Sequence, residues 1–127
     1  MDEGNASFEH AQTLLSGSDS GESLVQAAEA MRQAANSGHV IAANDFGNLL
    51  HHGRGVHQDL VAARAYYLQA AEAGLPDARF NLGFMLVRGL GGESDSERAR
   101  TLFLLAAEDG NLDAITHLGA MMMTGAG

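Results

Sequence analysis

The sequence predicts an all-α fold, a solenoid of helix-turn-helix repeats with about seven helices, and three observations predict it. The motif Ala-Ala-x-x-Gly begins at Ala34, Ala70 and Ala106, each occurrence 36 residues after the last. An apolar residue followed by glycine keeps the same spacing at Phe46-Gly47, Leu82-Gly83 and Leu118-Gly119. Gly-x-Gly does so at Gly53/Gly55, Gly89/Gly91 and Gly125/Gly127. A fixed period of this length marks stacked supersecondary units that bury their apolar faces against one another.

The frame divides a single domain, residues 1–127, into a degenerate copy at 3–38, full copies at 39–74 and 75–110, and a half copy at 111–127. The two full copies are identical at 13 of 36 positions, including Ala42/Ala78, Leu50/Leu86, Asp59/Asp95, Ala63/Ala99 and Arg64/Arg100. The first copy fits more loosely, with Ala6, Leu14, Gly17, Ala27, Ala34, Ala35 and Gly38 in register.

Each copy resolves into two helices. In the best-preserved copy the first is expected over Pro76–Arg88, because proline is tolerated at a first helical position and Gly74 suits the left-handed end of the preceding helix. Ala78, Leu82 and Leu86 form its apolar stripe. The second is expected over Asp95–Asp109, with Ser94 or Asp95 as N-cap and a stripe of Ala99, Leu102 and Ala106. Gly47, Gly83 and Gly119 each lower helix propensity by roughly 1 kcal/mol against alanine, so close helix-to-helix approach is expected at each. A last helix over Leu112–Thr124 carries Ile115, Leu118, Met121 and Met122 with no second helix to cover them. Either the array continues beyond this chain, or that edge is a dimer or partner interface.

The stretch AANDFGNLLHHGRGVHQDLVAARAYYLQAAEAG resembles a Sel1-like repeat, a relative of the tetratricopeptide repeat. It follows the pattern A-x-x-x-L-G-x-x-Y-x-x-G-x-G-V-x-x-D and then A-x-x-W-x-x-x-A-A-x-x-G. The resemblance covers essentially the whole chain, strongly from residue 39 onward. Leu50 and Leu86 stand where the family favours tyrosine, Tyr66 and Leu102 where tryptophan is frequent, and Gly92 where valine is usual. The resemblance implies an α/α right-handed superhelical solenoid. It also implies an adaptor or scaffold role, bacterial or eukaryotic, in complex assembly, signalling, host interaction or toxin neutralisation as an immunity protein.

Residues 51–59, HHGRGVHQD, look at first like a metal or phosphate site. Their counterpart one copy later is VRGLGGESD, which keeps the glycines and loses all three histidines. The glycines are therefore a turn between helices, and no strand or Lys-Ser pair supports a phosphate loop. His51 and His52, adjacent on a helix, point about 100° apart rather than pairing at i, i+4. No metal and no cofactor is expected. His10, His39 and His117 are read as isolated. Glu72 and Glu108 recur at the repeat period, which makes them surface features, and no nucleophile or acid–base constellation appears, so no catalytic residue is expected.

Composition narrows the partner. Sixteen acidic residues against seven basic ones, all arginine, give a net charge of −9, which repels phosphate backbones and anionic lipid. Nucleic acid and membranes are poor partners; a protein or peptide with basic or apolar features is a better one. With no cysteine, disulfides and thiolate chemistry are excluded. The acidic start MDEGNASFEH lacks a leader pattern, so the chain as given reads as cytoplasmic, or as periplasmic or secreted if a leader has been removed.

The face of the first helices opposite the apolar stripe varies between copies, and variation at positions the fold does not need points to binding. It comprises Asn44, Asn48 and His51, then Phe80, Phe84 and Val87, then Thr116, Ala120 and Met123, with Phe8, Gln12 and Leu15 in the first copy. The expected partner groove is Asn44, Asn48, His51, Phe80, Phe84, Val87, Thr116 and Met123. The phenylalanines would anchor an apolar side chain while the asparagines bind its backbone. The alternatives are that Phe80 and Phe84 pack against the first copy or a second subunit, and that the chain is a self-associating structural segment, with a homodimer through the C-terminal edge.

Overall fold

The computed structural model describes residues 3–17 and 21–124. The described residues form seven α-helices and no strand: α1 (Glu3–Gly17), α2 (Gly21–Asn36), α3 (Val40–His52), α4 (Leu60–Glu72), α5 (Pro76–Arg88), α6 (Ser96–Glu108) and α7 (Leu112–Thr124). The expectations placed on Met1 and Asp2, on residues 18–20 and on Gly125 and Gly127 lie outside the described residues. Each helix packs chiefly against the next in sequence, which is the contact pattern of a solenoid. None of these helices is long and apolar enough to cross a membrane.

Local sequence sets the helix ends. Asp59 and Asp95 accept hydrogen bonds from the backbone N–H of Ala62 and Arg98, each at 3.0 Å, so Asp95 rather than Ser94 caps α6. Asn111 caps α7 by accepting from Ala114 N–H at 2.8 Å, and His39 caps α3 through Nδ1 at 3.1 Å from Ala42 N. At the equivalent position Leu75 has no side-chain cap to offer, and Pro76 in the first turn removes one of the helix's unsatisfied donors, its own N–H. Gly53 and Gly89 end α3 and α5 in the left-handed region, at φ +66° and +65°. Two residues on, Gly55 and Gly91 press against the carbonyls of Leu24 and Leu60 in the preceding copy, where a side chain would collide. The Gly-x-Gly turn thus stops one helix with its first glycine and seats the copy on its neighbour with its second.

Ala42, Ala78, Ala114, Ala63, Ala99, Ala70 and Ala106 are all fully buried, and the Ala78/Leu82/Leu86 stripe faces the core as expected. The stripe expected on α6 needs one correction. Leu102 is half-buried and Phe103 beside it is fully buried, as are its counterparts Met31 and Tyr67. The reason lies in the glycines: a Cβ at Gly83 would stand 2.7 Å from Phe103, and a Cβ at Gly47 2.7 Å from Tyr67. The missing side chain is the socket for the largest residue of the following helix.

Candidate functional site

The odd-numbered helices α3, α5 and α7 are linked one to the next by hydrogen bonds from asparagine side chains. Asn81 Nδ2 donates to Asn44 Oδ1 at 2.9 Å, and Asn111 Nδ2 to Asp77 Oδ1 at 2.7 Å. Between them opens a cavity of about 290 Å³ lined by Asn44, Asp45, Asn48, Asp77, Phe80, Asn81, Asn111 and Asp113. Three carboxylates and no cation line it.

A second hollow of about 190 Å³ adjoins it through Asn48, Phe80 and Asn81, and adds His51, His52, Tyr67 and Phe84. Here the surface is aromatic. The rings of Phe80 and Phe84 lie 6.4 Å apart, His51 stands 6.4 Å from Phe84, and His117 meets Phe80 edge-on at 5.0 Å. Arg88 covers the outer side of Phe84 at 4.8 Å. A third hollow, about 180 Å³, continues past Asp45 and Asn48 towards Leu15, Met31 and Arg54.

Burial tunes three groups beside the groove. Loss of solvent raises the Asp45 carboxyl above the ordinary carboxylate range, helped by the charge of Asp77 and opposed by His39. The same cause, with repulsion from His52, lowers His51, which favours its neutral ring. Tyr67 is pushed upward by burial and by Asp45, and its hydroxyl donates to Asn48 Oδ1.

Of the eight residues expected to bind, Asn44, Asn48, His51, Phe80 and Phe84 come together along these hollows, while Val87, Thr116 and Met123 are exposed and line none of the three. The asparagines are less free than expected: Asn44 is buried, and each side-chain carbonyl already accepts a hydrogen bond, from Asn81 and from Tyr67. Phe80 packs partly against the core, beside Phe103 at 5.6 Å, rather than against the first copy. Reading the sequence missed the row Asp45, Asn81 and His117 and the row Asp77 and Asp113. The 36-residue period would have found both, since each row occupies equivalent positions. Two histidines read as isolated are not. His39 stacks on Phe8 at 4.3 Å as well as capping α3, and His117 joins the aromatic cluster. The rings of His51 and His52 stack at 4.7 Å, and among the described residues no three His, Asp or Glu side chains group as a metal site would need.

The family model described as Sel1 repeat matches residues 40–75 and 76–111, more than half of the chain. The chain belongs to the Sel1 repeat family. Solved structures agree. A Sel1 repeat protein from Oxalobacter formigenes is 31% identical at a TM-score of 0.82, covering 92% of this chain and 88% of that one. The uropathogenic Escherichia coli protective antigen c5321, which displays an SLR fold, is 33% identical at 0.89; the match covers 98% of this chain and 27% of the antigen. Cysteine rich protein B of Helicobacter pylori, at 22% identity and 0.68, covers 91% and 93% of the two chains and shares the fold. No curated protein sequence matches the chain. Sel1 repeat proteins typically mediate protein–protein interactions and are generally non-enzymatic.

Proposed function

We propose that this Sel1 repeat chain is a non-enzymatic adaptor that holds a peptide or protein segment in the groove of α3, α5 and α7. The observation that carries the reading is the junction of an acidic, amide-lined cavity with an aromatic one through Asn48, Phe80 and Asn81. A segment with an arginine or lysine beside an apolar side chain satisfies both halves. Its cation meets Asp45, Asp77 and Asp113, and its apolar residue rests on Phe80 and Phe84. The net charge of −9 draws such a segment in and repels acidic competitors.

Selection of a displayed random peptide library on the purified chain tests this. Enriched sequences are expected to carry a basic residue next to an apolar one and to weaken by about tenfold or more on Phe84→Asp, the loss of one aromatic anchor. Phe84 is half-buried, so the variant is expected to keep its helical content and melting temperature. Peptides that bind Phe84→Asp undiminished would place recognition elsewhere.

A further inference from the structure

Five of the seven residues that line the aromatic hollow carry rings: His51, His52, Tyr67, Phe80 and Phe84. Phe80 and Phe84 are inclined at 35° to one another, His51 stands 6.4 Å from Phe84 at 39°, and Tyr67 lies 6.5 Å from His51 at 75°, so the rings meet the space between them at several angles. One ring already takes a cation. The Arg88 guanidinium lies 4.8 Å over Phe84 from outside the hollow, which Arg88 does not line. The polar groups here are largely engaged: Asn48 Oδ1 accepts from the Tyr67 hydroxyl, and Asn81 Nδ2 donates to Asn44 Oδ1. No carboxylate lines the hollow, yet Asp45, Asp77 and Asp113 line the cavity that shares Asn48, Phe80 and Asn81 with it. Burial and the charge of His52 hold His51 towards its neutral ring, so that wall does not repel a cation.

An occupant of this hollow lies in a negative field without meeting a carboxylate. A lysine ammonium brings three N–H donors and finds too few acceptors for them. A neutral apolar side chain uses the rings and gains nothing from the field. A quaternary ammonium uses both, because its charge is spread over methyl groups that have no donor to satisfy and that ring faces attract. We infer that the hollow is a cage for a quaternary ammonium, the side chain of a trimethylated lysine in the bound segment. The inference rests on the peptide-binding reading of the groove and specifies the side chain that reaches Phe80 and Phe84. The neighbouring carboxylates select the source. A phosphocholine headgroup would bring its phosphate beside Asp45, Asp77 and Asp113, and free choline would leave them without a cation, whereas a peptide offers an arginine or lysine next to the trimethylated residue.

Nuclear magnetic resonance of the full chain, with its phenylalanine rings labelled with 13C, tests this. The probes are an acetylated, amidated tetrapeptide Ala-Arg-X-Ala, in which X is trimethyllysine, lysine or the neutral isostere with carbon in place of the quaternary nitrogen, and choline. The trimethyllysine peptide is expected to give saturable shifts at Phe80 and Phe84 and none at the buried Phe46. Lysine, the isostere and choline should each bind about tenfold more weakly. Phe84→Leu, which keeps an apolar contact and removes the ring, should weaken the trimethyllysine peptide by about tenfold while circular dichroism shows retained helix. Equal binding of the isostere would overturn the cage and leave the groove an apolar peptide site. Equal binding of lysine would assign the cation to the carboxylates, and equal binding of choline would remove the peptide as the source; either overturns the inference. So would silence at both rings, or a shift indifferent to Phe84→Leu. In those cases displayed-library peptides that still depend on Phe84 would keep the groove itself, and library peptides indifferent to Phe84 would remove it.

Discussion

Gly92 stands where its family usually has valine, and one side chain explains why. Arg64 reaches from α4 into the loop after α5, donates to the Glu93 carbonyl at 2.8 Å, and fills the space a Cβ at Gly92 would need. One copy earlier the equivalent positions are Ala28 and Val56, a small residue in place of the arginine and a larger one in place of the glycine. Gly92→Val alone is therefore expected to push the flexible Arg64 side chain aside and break its bond to Glu93, a loss of about 1 kcal/mol. Arg64→Ala together with Gly92→Val gives the Ala28/Val56 combination and is expected to cost no more than either substitution alone. Urea denaturation of the four-member cycle should return a coupling energy of about 1 kcal/mol or more, and simple additivity would show that the two positions do not share space. Asp45 makes a second prediction at this scale. Because folding raises its pKa, the folded protein binds that proton more readily than the unfolded chain. The contribution of this group is complete below the ordinary carboxylate range and is lost as pH rises through the raised value. Asp45→Asn should therefore raise the melting temperature near pH 7, and the advantage should shrink as pH falls through the raised value and be gone below about 4. A difference independent of pH would assign the effect to something other than the charge.

Among the helices, the glycines at equivalent positions divide into two classes that a sequence alignment of the copies treats as one. Gly83 is closed over by Phe103, whereas Gly119 faces open space. The same substitution should then have opposite signs. Gly83→Ala gains helix propensity but drives a methyl group into an aromatic ring, with an expected net loss of about 1–3 kcal/mol. Gly119→Ala gains the propensity alone, about 1 kcal/mol. Thermal denaturation of both variants checks this, and equal effects would mean that the sockets contribute no packing. The elements themselves were legible because their punctuation is chemical: Pro76 and Arg88 bound α5, Leu112 and Thr124 bound α7, and Asp95 caps α6, as the sequence predicts. What was less legible is phase. Measuring the groove as the direction opposite one helix's apolar stripe selects Phe80, Phe84 and Val87. The groove is formed where neighbouring helices meet, which turns the lining row towards Asp45, Asn81 and His117 and leaves Val87 outside. A single helix's periodicity carries no information about the angle at which the next one crosses.

For the whole molecule, charge and shape act on different steps of binding. The net charge of −9 and the three carboxylates of the larger cavity attract a basic segment before contact, over a distance set by the Debye length, about 10 Å at 0.1 M salt and about 3 Å at 1 M. The aromatic hollow acts only once its surface is covered. Association of a basic, apolar peptide is therefore expected to slow markedly between 0.1 M and 1 M salt, while its dissociation stays nearly constant. Phe84→Asp should do the reverse, speeding dissociation while the added negative charge leaves association as fast or faster. Stopped-flow measurement on both proteins at the two salt concentrations separates the cases. If salt instead accelerated dissociation and left association unchanged, the cation would be held in a close ion pair within the cavity, and the carboxylates would supply affinity rather than steering.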